Sequence, residues 1–345
     1  MKRLVIFGLI GGLIASLVIM GSPHYGEAAK IDKWRAQTCV GAGRLFDALV
    51  AETEHVRKMT GGRLDIKIYP VGAFVGITQM LEAVGQGVYE ANLWQVPAYY
   101  AGLEPGLALL FSIPSIWTDP GWVQMWYYYF GGKELYEPVF AKYNVYLAGI
   151  GTTGAEPFLS KKPIHSLKDF KGLKIRTPLG LTAAVFEALG ALPTQLPSSE
   201  IYSALDTGVI DGAEWASISD NYDQGLHEVA PNILYPSFHS PTTTVTSEVN
   251  MDRWKKLPDD LKACFEGMMA RLNDRYNYEQ RAANYDALKK MIEKGCTHTT
   301  LSSEDMAKVR SITLKVLNGY KAKSPLSAKA IDSLVGYWKL VGLIE

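Results

Sequence analysis

Arg176 is the residue of this chain best suited to hold a small anion. It closes the short run Leu173-Lys174-Ile175-Arg176, and a turn bearing Gly180 follows. Its planar guanidinium can donate two parallel hydrogen bonds to the two oxygens of a carboxylate. The plain alternative is a strand-end arginine paired with one of the protein's own acids. Further along comes Asp211-Gly212-Ala213-Glu214-Trp215. The Asp-Gly pair reads as the end of a connection, which sets Glu214 and Trp215 at a cleft edge, an anionic group beside an apolar wall. Glu156 adds a second acid if both sides of a cleft meet; otherwise it is a solvated or helix-capping acid. An acid near a carboxylate site repels the ligand unless a hydroxyl, an amine or a metal ion lies between. Oxygen donors of this kind suit a hard cation such as Ca²⁺ or Na⁺.

These residues need elements to hold them. Residues 33–39 alternate and read as a strand. Residues 44–60 form an amphipathic helix that stops at Gly61-Gly62. A second strand covers 64–69 (LDIKIY), a helix 78–86, and a third strand 91–95. This β-α-β-α-β order places the chain in the α/β class, with a parallel sheet and crossover helices. The next stretch is rich in aromatic residues from Tyr99 to Phe130, which read as helix faces packed into a core. Strands are expected over 144–149, 158–161 and 173–176, helices over 181–189 and 197–205, and a strand or cleft edge over 209–215. A returning strand covers 245–250. From Pro258 a periodic stretch reaches Lys294 with only Gly267 inside it. A helix of that length exceeds what one lobe needs and can run along two. Further helices cover 303–323 and 328–340.

Motifs for other chemistry fail on context. Gly149-Ile-Gly-Thr-Thr-Gly154 matches a dinucleotide fingerprint, and Asp169 follows at a suitable distance. Yet Glu156-Pro157 and the extended Phe158-Leu159-Ser160 come next, so no helix N-terminus faces a pyrophosphate. A glycine-rich crossing between two lobes fits better. There is no GxSxG, HExxH or CxxC, and the six histidines are scattered. No catalytic constellation is recognisable, so an enzyme is not expected.

Residues 1–28 have the pattern of a secretory signal: Lys2 and Arg3, an apolar run from Leu4 to Met20, then Gly26 and Ala28 before a cut at Ala29. The chain has 35 basic and 35 acidic residues. No basic stripe suggests nucleic acid, and no second long apolar segment suggests a membrane span. Cys264 and Cys296 lie near opposite ends of the long helix, about 45 Å apart at its helical rise. That is far beyond the roughly 7 Å limit for a disulfide. Cys39 reads as a small half-buried residue.

Taken together, the motifs resemble those of the periplasmic solute-binding subunits of TRAP (tripartite ATP-independent) transporters, over nearly all of the chain after residue 28. The residues that carry this are Lys174-Ile175-Arg176 with Gly180, Leu189-Gly190-Ala191-Leu192-Pro193, Pro197, Glu200, Tyr202, Ala204-Leu205, Gly208-Val209-Ile210-Asp211-Gly212 and Glu214. Tyr99-Tyr100 with Gly102, Pro105, and Ile113-Pro114 with Asp119 support them. The resemblance implies a two-lobed periplasmic binding protein fold closing on a small carboxylate, with a long lobe-spanning helix. One lobe takes 29–151 with about 241–257, the other 152–240. The helix takes 258–294, and 295–345 is a helical C-terminal region. Arg176 then clamps the ligand carboxylate, and Trp215, Phe74 and Trp94 form apolar walls. Glu156 and Glu214, with Trp215, hold a metal ion or a ligand hydroxyl. Trp215 after Glu214 resembles the branch that binds 2-oxo or 2-hydroxy monocarboxylates, some with a metal ion. No cofactor is required, though Ca²⁺ or Na⁺ can bridge the ligand. This chain departs from that branch at Glu156, where Gln is common, and at Phe238-His239-Ser240, where a Glu is expected. His239 can instead donate to a second polar group of a larger or aromatic acid. The implied partners are TRAP membrane subunits and, through the C-terminal helix, a second copy in a homodimer. The alternatives are ligand presentation to a sensor protein and, from a different class, a secreted hydrolase.

Overall fold

Short alternating segments separated by glycine turns give many brief strands here rather than a few long ones. The computed structural model describes residues 31–178 and 180–344, so the expected signal at 1–28 lies outside the described residues. In chain order the strands are β1 (Asp32–Gln37), β2 (Leu64–Tyr69), β3 (Ala91–Gln95), β4 (Val145–Thr153), β5 (Phe158–Ser160), β6 (Lys174–Arg176), β7 (Leu192–Thr194), β8 (Gly212–Glu214), β9 (Asn232–Leu234), β10 (Thr243–Asn250) and β11 (Thr297–Thr299). They form two sheets, ordered β2-β1-β3-β10-β4 and β11-β9-β5-β8-β6-β7. β1 pairs in parallel with β2 and with β3, as the β-α-β-α-β order requires. β10 returns antiparallel between β3 and β4.

β4 runs through Gly149 and Gly151 to Thr153, with a register shift against β10 beside Gly149, so the glycine motif is strand rather than a strand-to-helix turn. Strands β7, β9 and β11, of three residues each, went unforeseen. The helices Pro120–Tyr129 and Gly132–Ala141 account for much of the aromatic stretch, and Trp117, Trp126 and Tyr127 are buried as expected. The three cysteines are free. No helix among the described residues is long and apolar enough to cross a membrane.

The long helix Asp259–Glu293 has 35 residues, about 52 Å at its rise per residue. Leu261, Phe265, Met268 and Leu272 pack in one core with Trp34, Leu93 and Val249 of the first sheet. Ala287 and Met291 pack in another with Leu159 and Ile233 of the second sheet. Between them the buried face turns polar, with Asn273, Tyr276, Gln280 and Asn284 at helical spacing. Asn273 Oδ1 accepts from the Thr152 N–H at 2.5 Å, and Asn284 Oδ1 from the Ser219 N–H at 3.0 Å. Buried Glu52, on the helix Arg44–Met59, pairs with Arg271 and Arg275 and fixes the helix from the outer side.

The C-terminal helix Pro325–Leu340 buries Leu334, Tyr337 and Trp338 in a core with Trp117 and Trp126 of the same chain.

Glu248 of β10 is fully buried in the first sheet. Asn92 Nδ2 and Tyr100 OH donate to its Oε2 at 2.6 and 2.9 Å, and Thr246 Oγ1 to its Oε1 at 2.6 Å. Burial outweighs these bonds and pushes its carboxyl up from 4.5 to about 7. The folded state therefore keeps a proton that the unfolded chain releases earlier. Stability contributed by this proton is complete below about pH 4.5 and is lost as pH rises to about 7. The loss amounts to ~3 kcal/mol at most. Glu248→Gln should flatten this part of the profile and raise the melting temperature at pH 8 more than at pH 5. Equal shifts at the two pH values, read by calorimetry, would contradict it.

Candidate ligand-binding site

Strand register explains why the charged residues converge. β6 and β8 lie parallel with Arg176 opposite Ala213, so Arg176 and Glu214 emerge together at the carboxyl ends of adjacent strands. That is where open α/β sheets bind ligands. β5 runs antiparallel to β8 with Phe158 opposite Glu214, which brings Glu156 to the same end. The Glu156 N–H is held by Ser240 O at 2.9 Å. From the first sheet come Trp94 at the end of β3 and Thr153 at the end of β4. These residues, with Tyr99, Trp215, Tyr276 and Gln280, line a cavity of about 110 Å³.

Gly212 is what lets β8 sit there. A Cβ on it would meet the Phe158 ring at 2.6 Å and Leu159 O at 3.0 Å. Gly212→Ala should cost about 1–3 kcal/mol by overpacking and weaken ligand binding by displacing Glu214. An unchanged melting temperature with unchanged affinity would show that the strand yields freely.

Arg176 is almost fully buried, and much of its fork is already engaged. Nε donates to Leu196 O at 3.1 Å, and Nη1 to Glu214 O at 2.8 Å and Glu214 Oε1 at 3.3 Å. Nη2 faces Tyr99 OH at 3.5 Å, a long contact. Both readings of Arg176 thus hold in part: it pairs with the protein's own acid, and Nη2 is the donor left for a ligand. Tyr99 keeps its proton, chiefly because burial raises its pKa.

Burial, then the charge of Glu214 and a hydrogen bond with it, push the Glu156 carboxyl well above the usual range. His239 lies behind Glu214, fully buried, with Nε2 3.7 Å from Glu214 Oε2. Its Nδ1 bonds to Ser237 Oγ at 2.5 Å, while Nε2 has no hydrogen-bond partner. Burial lowers its pKa to about 4 against the pull of Glu214, so the ring is neutral near pH 7. It packs against Phe186, with ring centres 5.7 Å apart, and does not line the cavity. His239 therefore approaches the cavity only through Glu214, whose far side it faces.

Phe74 is likewise not a wall of this cavity. It lies after β2 with its ring stacked on Tyr89 at 5.1 Å and edge-on to Tyr69 at 4.8 Å. Gln37 Oε1 fixes its backbone N–H at 2.7 Å. Trp94 does line the cavity, edge-on to Tyr276 at 5.2 Å, and its φ of 61° is unusual for so bulky a residue. Ala216, after Trp215, also has positive φ and also lines the cavity. Backbone strain of this kind collects at ligand sites. Cys39 borders the cavity as a thiol: Sγ donates to Trp94 O at 2.8 Å, and burial raises its pKa to about 12.

The donor set fits a bound cation. One atom each from Glu156, Glu214 and His239 lie within 4.8 Å of one another. Two ligands on one Ca²⁺ stand at most about 5 Å apart. Burial beside Glu214 raises the Glu156 pKa, so two bare carboxylates here are disfavoured without a cation. Trp215, expected beside the two acids, could contribute its carbonyl, which accepts from Asn221 Nδ2 and keeps one of its two lone pairs.

Tyr276 and Gln280 were missed in the sequence. The signal was the polar spacing 273, 276, 280, 284 on the face of a helix that is otherwise apolar inward.

Similarity to known proteins agrees with this geometry. Residues 45–323 match the family model described as bacterial extracellular solute-binding protein, family 7. The monocarboxylate 2-oxoacid-binding periplasmic protein of a Nostoc species is 33% identical over 292 residues, 84% of this chain and 78% of the relative. A TRAP periplasmic solute-binding protein of Pseudoalteromonas atlantica, with bound sodium and pyruvate, superposes with a TM-score of 0.81 at 27% identity, covering 90% of this chain and 95% of that one. One from Colwellia psychrerythraea, with bound calcium and pyruvate, gives 0.80 at 26% identity with the same coverage. Members of this group are solute-binding proteins rather than enzymes. The chain belongs to family 7 of the bacterial extracellular solute-binding proteins, the solute-binding subunits of TRAP transporters.

Proposed function

We propose that this protein captures a 2-oxo or 2-hydroxy monocarboxylate in the periplasm and delivers it to TRAP membrane subunits for uptake driven by an ion gradient. The observation that carries this reading is Arg176 Nη2, turned to a small cavity beside the Glu156–Glu214 pair. Nη2 binds the ligand carboxylate. Glu156, Glu214 and the Trp215 carbonyl hold a cation, Ca²⁺ or Na⁺, whose charge offsets the acids and draws in the ligand's carboxylate and 2-oxygen. The 2-oxoacid named for the Nostoc relative and the pyruvate in the two structures support this ligand class. The signal pattern at 1–28 and the periplasmic relatives support export. We assign one lobe to 29–151 with about 241–257 and the other to 152–240. The helix at 258–294 runs along both, and 295–345 completes the C-terminal region. Closing the lobes excludes water and strengthens the arginine–carboxylate pair. Calorimetry with pyruvate, lactate and succinate, each with and without Ca²⁺, tests the reading. Pyruvate or lactate should bind and succinate should not; the reverse order would overturn it.

A further inference from the structure

Glu248, fully buried in the first sheet, lies outside the cavity, yet its bonds reach the strand that carries Trp94. β10 pairs with β3 at Thr246 opposite Gln95 and at Glu248 opposite Asn92, so Ser247 faces both Leu93 and Trp94. This is a β-bulge, a device that re-aims a side chain beside a functional site. It falls on Trp94, whose φ is 61° and whose side chain lines the cavity. Glu248 grips both flanks of the bulge. On one side its Oε2 accepts from Asn92 Nδ2, and also from Tyr100 OH of the short helix Pro97–Tyr100. On the other its Oε1 meets Thr246 Oγ1, which also lies 3.2 Å from the Gln95 carbonyl oxygen.

Thr246 has one hydroxyl hydrogen and two acceptors within reach. When Glu248 is ionised, that hydrogen goes to Oε1, the nearer and charged acceptor at 2.6 Å, and Gln95 O loses it. When Glu248 is protonated, the proton fits on Oε1, because Oε2 already takes two donors. The Glu248 O–H then donates to Thr246 Oγ1, and Thr246 donates to Gln95 O. The groups around Glu248 leave this choice to its own proton. Tyr89, Tyr100 and Cys39 are the titratable ones, and burial raises all three pKa values away from neutral pH. Glu90, just before β3, turns to Arg35 and Arg253. The helix Met80–Gly85 presents the Met80 carbonyl to Asn92, and the long helix presents Met269 to Ser247. The bonds to Glu248 come from neutral groups, and its carboxyl, pushed up to about 7 by burial, changes state near neutral pH.

We propose that Glu248 is a positioning residue for the ligand cavity: it braces the bulge that sets Trp94 in the cavity wall, and only its protonated form braces both flanks. Ligand affinity then follows the Glu248 proton, higher below neutral pH and lower above it. This goes beyond the monocarboxylate reading and borrows from it only the probe, pyruvate, which stays an anion throughout.

The test is calorimetry with pyruvate on residues 29–345 at pH 5 and pH 8. Native affinity should fall by about fivefold between them, the scale of one hydrogen bond. Glu248→Gln offers an amide N–H in place of the carboxyl O–H and should bind at pH 8 as the native protein binds at pH 5. Thr246→Val breaks the relay while keeping the shape, and should show the native pH 8 affinity at both values. A flat native profile, or one that persists in either variant, overturns the proposal. Hydrogen exchange over residues 91–96 reads the brace without ligand. At pH 8 the native protein should exchange there faster than Glu248→Gln, with equal rates at pH 5 and an unchanged second sheet. Equal rates at both pH values also overturn it. If pyruvate does not bind the native protein, the monocarboxylate reading fails and the exchange result alone decides the brace.

Discussion

Arg176→Ala is expected to abolish binding of pyruvate, and also to destabilise the protein by about 3–5 kcal/mol. The first effect follows from Nη2, the guanidinium nitrogen with the weakest protein contact. Hydrogen bonds to charged groups contribute about 1.5–3 kcal/mol each, so a loss of a hundredfold or more is expected. The second follows from Nη1, which bonds both the carbonyl and the carboxylate of buried Glu214. Without the arginine, Glu214 stays buried beside Glu156 and loses its guanidinium partner. The two effects separate in the double variant Arg176→Ala/Glu214→Gln, which should recover much of the melting temperature and none of the affinity. Arg176→Lys keeps the charge but loses the planar fork, and should bind more weakly than the native protein while folding better than Arg176→Ala. Near-native affinity in either arginine variant would remove the clamp.

Chelation is expected to weaken monocarboxylate binding by at least about tenfold, roughly 1.4 kcal/mol. With no metal ion, the Glu156–Glu214 pair relies on a proton held on Glu156 by burial and by its neighbour. A proton offsets one charge and offers a ligand no open coordination position. Ca²⁺ offsets two charges, and either Ca²⁺ or Na⁺ can accept the ligand's own oxygens. Glu156→Gln makes the neutral state permanent and should reduce the response to added Ca²⁺ without unfolding the protein. Elemental analysis of the purified protein before and after chelation identifies the ion. Unchanged affinity in chelator and again in sodium-free buffer would leave the acids as plain hydrogen-bonding groups.

The sequence was most legible where a pattern repeats over many residues. The helix Arg44–Met59, the strands β2 and β3, and the long helix agree with expectation to within a residue or two at each end. Arg176, Glu156, Glu214, Trp215 and Trp94 come together at one cavity, and strand register is what unites them. His239 and Phe74 do not line that cavity, for a shared reason. Each stands in an irregular segment where spacing does not say which way a ring turns. In both cases neighbouring aromatic rings decided it, the Phe158, Phe186 and Phe238 cluster for one and Tyr69 and Tyr89 for the other. The engaged state of Arg176 was out of reach for a different reason. Hydrogen bonds to the Leu196 and Glu214 carbonyls depend on backbone positions far apart in the chain.

The long helix has a mechanical consequence. The chain passes between the two sheets at 154–157, at 235–242, through the middle of that helix, and again along the helix Ser303–Tyr320, whose Val309 and Leu317 sit in different cores. The stretch Asn273 to Asn284 lies between the two cores and carries Tyr276 and Gln280 into the cavity. A relative movement of the two sheets would therefore have to flex that stretch, and with it two walls of the cavity.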